Sequence, residues 1–334
     1  MRRLVTILAL AALPCAALPL AASAQQDDRG YLTAFLEDNL SGLGRRVTIT
    51  GFEGALSSRA VMAELSVADA DGVWITLRDV VLDWNRAALL AGRVEVNALT
   101  AAEIIVARAP VREDEALPAP EAQGFTLPEL PVSVEIGRIA AERIELGETI
   151  LGTALEGSLE AALSLAGGDG SATLALTRTD DGPEGSVALT ASYGNASGVL
   201  AIDLEAREAA GGIAARLLGL PGAPAVELTV QGEGPVSDYT AEVRLASDGA
   251  ERLAGSVTLQ APAEGGRAFR ADLGGDLAPL FLPDYAAFFG PDVQLQTAGI
   301  RAADGRLNLS QLALRTRALV LEGSLALAVD GLPE

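Results

Sequence analysis

The chain has 334 residues, with 45 acids against 24 bases, no histidine, no lysine, one cysteine and a net charge of −21. Without His or Lys it can form no Ser-His-Asp triad, Cys-His pair, Ser-Lys dyad, Schiff base, phosphate-loop lysine or His-bearing metal site, and its acidity argues against a binder that must neutralise nucleic-acid phosphates. It is 49% hydrophobic but only 4% aromatic, with 36 glycines, so its apolar mass is made of short aliphatics.

Arg2 and Arg3 precede an uncharged apolar run, Leu4 to Ala22, and Ala22-Ser23-Ala24 supplies a small-residue exit. This predicts a secretory signal peptide over 1–24, with a retained membrane anchor as the alternative. Either places the remainder outside the cytoplasm. Cys15 follows Pro14 rather than a small residue, which argues against lipidation, and cleavage would leave a chain without cysteine. Stability must then come from burial and backbone pairing rather than disulfides.

Residues 25–46 predict an amphipathic helix, because Tyr31, Leu32, Phe35, Leu36, Leu40 and Leu43 share one face at 3.6 periodicity. A helix there would either cap a sheet end or lie on a membrane, and Glu37 and Asp38 favour the cap. From Val47 onward the period changes to two, as in Val94-Glu95-Val96 and Leu200 to Glu205. Between Gly157 and Glu208, turn clusters recur every 13 to 15 residues, which predicts a meander of antiparallel strands.

A shift of 40 residues superposes Val94 on Val134, Glu95 on Glu135, Val96 on Ile136, Leu99 on Ile139, Ala101 on Ala141, Ile104 on Ile144 and Val106 on Leu146. Glu156-Gly157-Ser158-Leu159 returns as Glu322-Gly323-Ser324-Leu325. Such repeats predict an elongated architecture of stacked strand units. The Pro-rich stretch 110–131 between the first repeated pair reads as an extruded loop. Residues 47–334 are thus one all-β segment, and its abrupt end after the strand at Leu325 to Val329 suggests continuation in a longer chain.

Candidate sites are few. Ala68-Asp69-Ala70-Asp71-Gly72 opens like a calcium loop but lacks the later ligands, so it predicts a hairpin turn. Gly232-Glu233-Gly234-Pro235 is a broken phosphate-loop pattern and predicts another turn, and Asn195-Ala196-Ser197 fits a glycosylation sequon. No catalytic constellation, metal set or cofactor motif is present, so none is assigned. The distinctive feature is a set of fourteen aliphatics of shared parity: Leu174, Leu176, Val187, Leu189, Leu200, Ile202, Leu204, Val226, Leu228, Val230, Val243, Leu245, Val257 and Leu259. They line one face of a sheet, either as a core beneath a second sheet or as a trough for other flexible hydrocarbons.

Several stretches carry a family resemblance. They are Asp38 to Arg45, Gly51 to Ala60, Asp71 to Leu77, Leu82 to Leu90, Gly275 to Leu280 and Tyr285 to Gly290. Together they resemble the N-terminal region of proteobacterial TamB, the translocation and assembly module subunit, within the AsmA-like group. The resemblance implies an elongated, curved antiparallel sheet, the repeating β-groove of bridge-like lipid transfer proteins. It implies a periplasmic protein attached to the inner membrane at its N-terminus, carrying phospholipid acyl chains and supporting outer-membrane protein assembly. Its Omp85-type partner, TamA-like, would be met through a region not present here, and the family offers no catalytic residues to carry over. The rival expectations are a scaffold that templates outer-membrane strands by β-augmentation and a secreted adhesin-like β-solenoid.

Overall fold

The computed structural model describes residues 46–54, 59–89, 91–111, 127, 133–262, 265–302, 304–329 and 332. The expected leader at 1–24 lies outside these residues, as does the helix at 25–46 apart from Arg46. Of the Pro-rich loop 110–131, only Pro110, Val111 and Leu127 are described. Among the described residues no helix is long and apolar enough to cross a membrane.

All seventeen described strands belong to one sheet. They are β1 (Arg46–Thr50), β2 (Glu53–Gly54), β3 (Arg59–Asp69), β4 (Gly72–Trp84), β5 (Arg93–Val106), β6 (Ser133–Leu146), β7 (Leu155–Ala166), β8 (Asp169–Arg178), β9 (Gly185–Gly194) and β10 (Val199–Glu208). They continue as β11 (Val226–Pro235), β12 (Asp238–Ser247), β13 (Ala250–Gln260), β14 (Arg267–Gly275), β15 (Val293–Arg301), β16 (Leu307–Arg315) and β17 (Val320–Leu327). The short β1 and β2 both pair with β3, and from β3 every strand pairs with its successor. The result is a curved, unclosed sheet sixteen strands across. At about 4.8 Å per strand it extends roughly 70 Å along the hydrogen-bonding direction.

Sequential hairpins follow from the turn chemistry. Gly167 and Gly168 adopt φ of 58° and 84° between β7 and β8, and Gly249 adopts 74° between β12 and β13, a region that glycine enters without steric cost. The predicted meander over 157–208 is present as β7 to β10.

One pairing departs from the antiparallel expectation. The two strands carrying the 40-residue repeat, β5 and β6, are parallel neighbours, and each repeated residue faces its counterpart: Val94 with Val134, Leu99 with Ile139, Ile104 with Ile144. The repeat is the register of this pair. A parallel neighbour needs a crossover rather than a tight hairpin, and residues 107–132 supply it. A second correction concerns Gly232 to Pro235, which do not form a turn: they complete β11, and Val236 and Ser237 make the bend.

Among the described residues four short α-helices interrupt the hairpins: α1 (Arg86–Leu89), α2 (Glu148–Leu151), α3 (Ile213–Leu217) and α4 (Ala286–Phe289). The strand registers place α2, α3 and α4 at one edge of the strand ends, hereafter rim A. They place α1 and the turns after β7, β9 and β11 at the other, rim B.

Candidate functional site: the apolar face

Cross-strand partners in a ladder project to the same face, so registers carry a face from strand to strand. Leu174 pairs with Leu189, which pairs with Leu204, which pairs with Val230, which pairs with Val243. Leu176 pairs with Val187, Leu228 with Leu245, and Leu200 and Ile202 with Gly234 and Gly232. Val226 faces Glu208, while Val257 and Leu259 face Ala241 and Tyr239. All fourteen predicted aliphatics therefore share one face. Val226 is buried, Leu259 is 40% exposed and the other twelve are half-buried.

The same face continues through β1 to β7 but changes in character. There Val47, Ile49, Met62, Val80, Ala101, Ile104, Ala141 and Ile144 form a packed core, with Phe52, Leu65, Leu77, Leu99 and Leu159 against it. Every described strand lies in one sheet, so among the described residues no second sheet covers the face.

The rims are built differently. At rim A, Glu208 projects onto the apolar face and accepts hydrogen bonds from the Ile213 and Ala214 amides at 2.7 and 2.6 Å, holding α3 over the ends of β10 and β11. Arg178 lies on the same face. It donates from Nε to Asp180 at 2.7 Å and has Nη1 3.5 Å from Glu208. Burial pushes the Asp180 carboxyl up, but hydrogen bonds from Arg178 and from the Glu156 and Gly182 amides outweigh it and hold it below the usual range. Further along, the segment between β14 and β15 stacks Phe281 on Phe289 at 4.0 Å, with Phe288 edge-on at 5.1 Å. The amides of Arg317 and Ala318 bind the carbonyls of Phe289 and Phe288. This segment precedes Val293, which is 1% exposed.

At rim B, Asn195 makes two hydrogen bonds to one backbone residue: its Oδ1 accepts from the Leu127 amide at 2.7 Å and its Nδ2 donates to the Leu127 carbonyl at 2.8 Å. A Cβ placed on Gly170 would stand 2.6 Å from Leu127 Cδ1, so Leu127 lies on the apolar face. The sequon asparagine is thus engaged in tying down the crossover. Two tyrosines that the sequence reading passed over also belong to this face, Tyr193 and Tyr239, at 8% and 6% exposure. Their parity with Leu189 and with Val243 was the available signal.

The opposite face is polar. A ladder of alternating charge crosses five strands: Glu64, Arg78, Glu103, Arg143 and Glu156, with Arg78 and Arg143 each 2.7 Å from Glu103 and Arg143 2.6 Å from Glu156. Shallow depressions on this face run along Glu160, Thr173, Thr190 and Asp203. The calcium-like Asp69 is the end of β3, and its carboxylate binds Arg108 and the Asp71 and Val111 amides. Among the described residues no three His, Cys, Asp or Glu side chains gather to hold a metal.

Comparison with protein-family models, with curated proteins and with solved structures found no match to this chain.

Proposed function

We propose that the chain is a non-enzymatic, TamB-like periplasmic segment whose apolar face conducts phospholipid acyl chains between the inner and outer membranes. One observation carries this reading: among the described residues a single-layer sheet presents a half-buried row of Leu, Val and Ile across six consecutive strands, β8 to β13, from Leu174 to Leu259. An acyl chain leaving a bilayer loses about 0.8 kcal/mol for each CH₂ exposed to water, and a continuous trough offsets this at every point along the way without a tight site. The polar face, with its ion ladder, keeps the sheet in water. Attachment to the inner membrane, cooperation with a TamA-like Omp85 partner and support of outer-membrane protein assembly enter this proposal through the resemblance.

Native mass spectrometry of the purified protein, together with photocrosslinkers at Leu189 and Ile202, tests the reading. Copurified phospholipid and lipid crosslinks support it. Absence of lipid, and identical behaviour of protein before and after delipidation, would overturn it.

A second reading has its own observation. Among the described residues β17 pairs only with β16, and Val320 and Leu321 on it are 62% and 44% exposed. An exposed edge is a template for another strand. Crosslinks from Val320 to polypeptide rather than lipid would favour a strand-templating scaffold.

A further inference from the structure

Among the described residues three buried side-chain polar atoms lack a hydrogen-bond partner, Trp74 Nε1, Arg178 Nη1 and Tyr239 Oη, and of these Tyr239 Oη lies on the apolar face with no ion pair beside it. Tyr239, the second residue of β12, is 6% exposed, and its hydroxyl is buried without a hydrogen-bond partner. The ring reaches across to β11, where a Cβ on Gly232 would stand 2.6 Å from the Tyr239 Oη and 2.9 Å from Cζ. The same Cβ would stand 2.7 Å from the Thr240 carbonyl oxygen, so both the tyrosine ring and the β12 backbone require glycine here; that carbonyl makes no hydrogen bond with the hydroxyl. By register, the neighbours of Gly232 on that face are Ile202 on β10, Ala241 on β12, and Val230 and Gly234 along β11. None has a side chain able to accept a hydrogen bond.

A buried donor left unpaired costs about 1–3 kcal/mol, and such groups in folded proteins call for a missing partner. Burial pushes the Tyr239 phenol up from its ordinary value, so it remains protonated and can only profit from an acceptor. The acceptor must be neutral, because the residues that register places around the hydroxyl carry no positive charge to compensate an anion. It must also be attached to something apolar enough to lie along Val230, Val243 and Leu245. The position near rim B completes the description: Asp238, the next residue outward, is exposed.

We propose that Tyr239 recognises an ester carbonyl of an acyl lipid: its ring turns out from its seat on Gly232 and the hydroxyl donates to the carbonyl oxygen, while the acyl chains extend toward mid-sheet and the headgroup stays in water beyond Asp238. This rests on the lipid-conducting reading and adds a chemical preference to it: acyl esters over ethers at this station of the face.

The test compares diacyl phosphatidylcholine with the diether phosphatidylcholine of the same chain length, each displacing a fluorescent acyl lipid from the full chain and from Tyr239→Phe. The substitution keeps the ring over Gly232 and removes only the oxygen, and an unchanged or raised Tm of the lipid-free variant confirms that packing survives. The expected result is that the native protein prefers the diester by about fivefold to tenfold, the worth of one hydrogen bond, and that Tyr239→Phe binds both equally. Equal binding of the two lipids by the native protein, or a preference that survives in Tyr239→Phe, overturns the assignment and leaves the lipid reading standing. Failure of both lipids to bind either protein overturns both.

Discussion

Glu103 and Arg143 stand forty residues apart in sequence and face each other across the parallel pair β5 and β6, with Glu103 Oε1 accepting from Arg143 Nη1 at 2.7 Å. The same forty-residue spacing aligns Ile104 with Ile144 on the opposite, apolar face. A shift of one residue would exchange the two faces along the whole strand. The charge ladder and the apolar core therefore fix one register from both sides.

Because the ladder lies on the solvent side, with Arg143 44% exposed, its contribution is screened by salt. Arg143→Ala is expected to lower the Tm at low ionic strength, and the difference should shrink as salt is added. A melting series against salt concentration checks this, and a difference independent of salt would show that packing rather than charge is lost.

Acid should weaken the sheet. The Arg108 hydrogen bond and the Val111 and Asp71 amides hold Asp69 well below the usual carboxylate range, and the Arg306 amide and guanidinium do the same for Asp304. A carboxylate depressed in the folded state contributes stability above its unfolded pKa of about 3.9, and that stability fades as pH falls through the folded value. Asp69→Asn should accordingly melt below the native protein at neutral pH, with the gap closing in progressively stronger acid below about pH 4. Thermal melts across pH read this directly.

The repeated Glu-Gly-Ser-Leu motif should respond unequally to the same change. A Cβ on Gly157 would stand 2.7 Å from the Thr177 carbonyl oxygen, whereas a Cβ on Gly323 meets nothing within 4 Å. Gly157→Ala is expected to cost about 1–3 kcal/mol through overpacking, and Gly323→Ala to be near neutral. Urea unfolding of the two variants decides it, and equal losses would contradict the close approach of β7 to β8.

The packed and open halves of the apolar face should also separate under mutation. Val80 is 1% exposed within the core cluster, so Val80→Asp buries an unpaired charge and is expected to abolish cooperative folding. Ile202 is half-buried on the uncovered half, so Ile202→Asp should fold with a loss of about 1–2 kcal/mol and carry no lipid. Circular dichroism melts paired with native mass spectrometry measure both halves of this expectation.

Much of the site was legible without coordinates, and the reason is the pleat. Alternation along a strand assigns faces locally, so Leu174, Ile202 and Val243 could be grouped before any pairing was known. Glycine-rich turns marked where each strand must reverse. What alternation cannot give is which strands meet. Val94 and Val134 looked like one unit copied into the next, and only the register made them neighbours. Gly232 and Gly234 read as a turn because glycine permits one; in β11 the glycine at 232 instead makes room for the Tyr239 ring and the Thr240 carbonyl, a demand set by a different strand.

The sequence by itself determined that this chain is a run of β-strands with one aliphatic and one charged face, because period two is a property of each strand alone. The tertiary structure decided that, among the described residues, the aliphatic face is packed from Val47 to Ile144 and only half-buried around Ile202. That difference depends on the curvature of the sheet and on which rim segments fold over it, both sums of contacts between residues far apart in the chain.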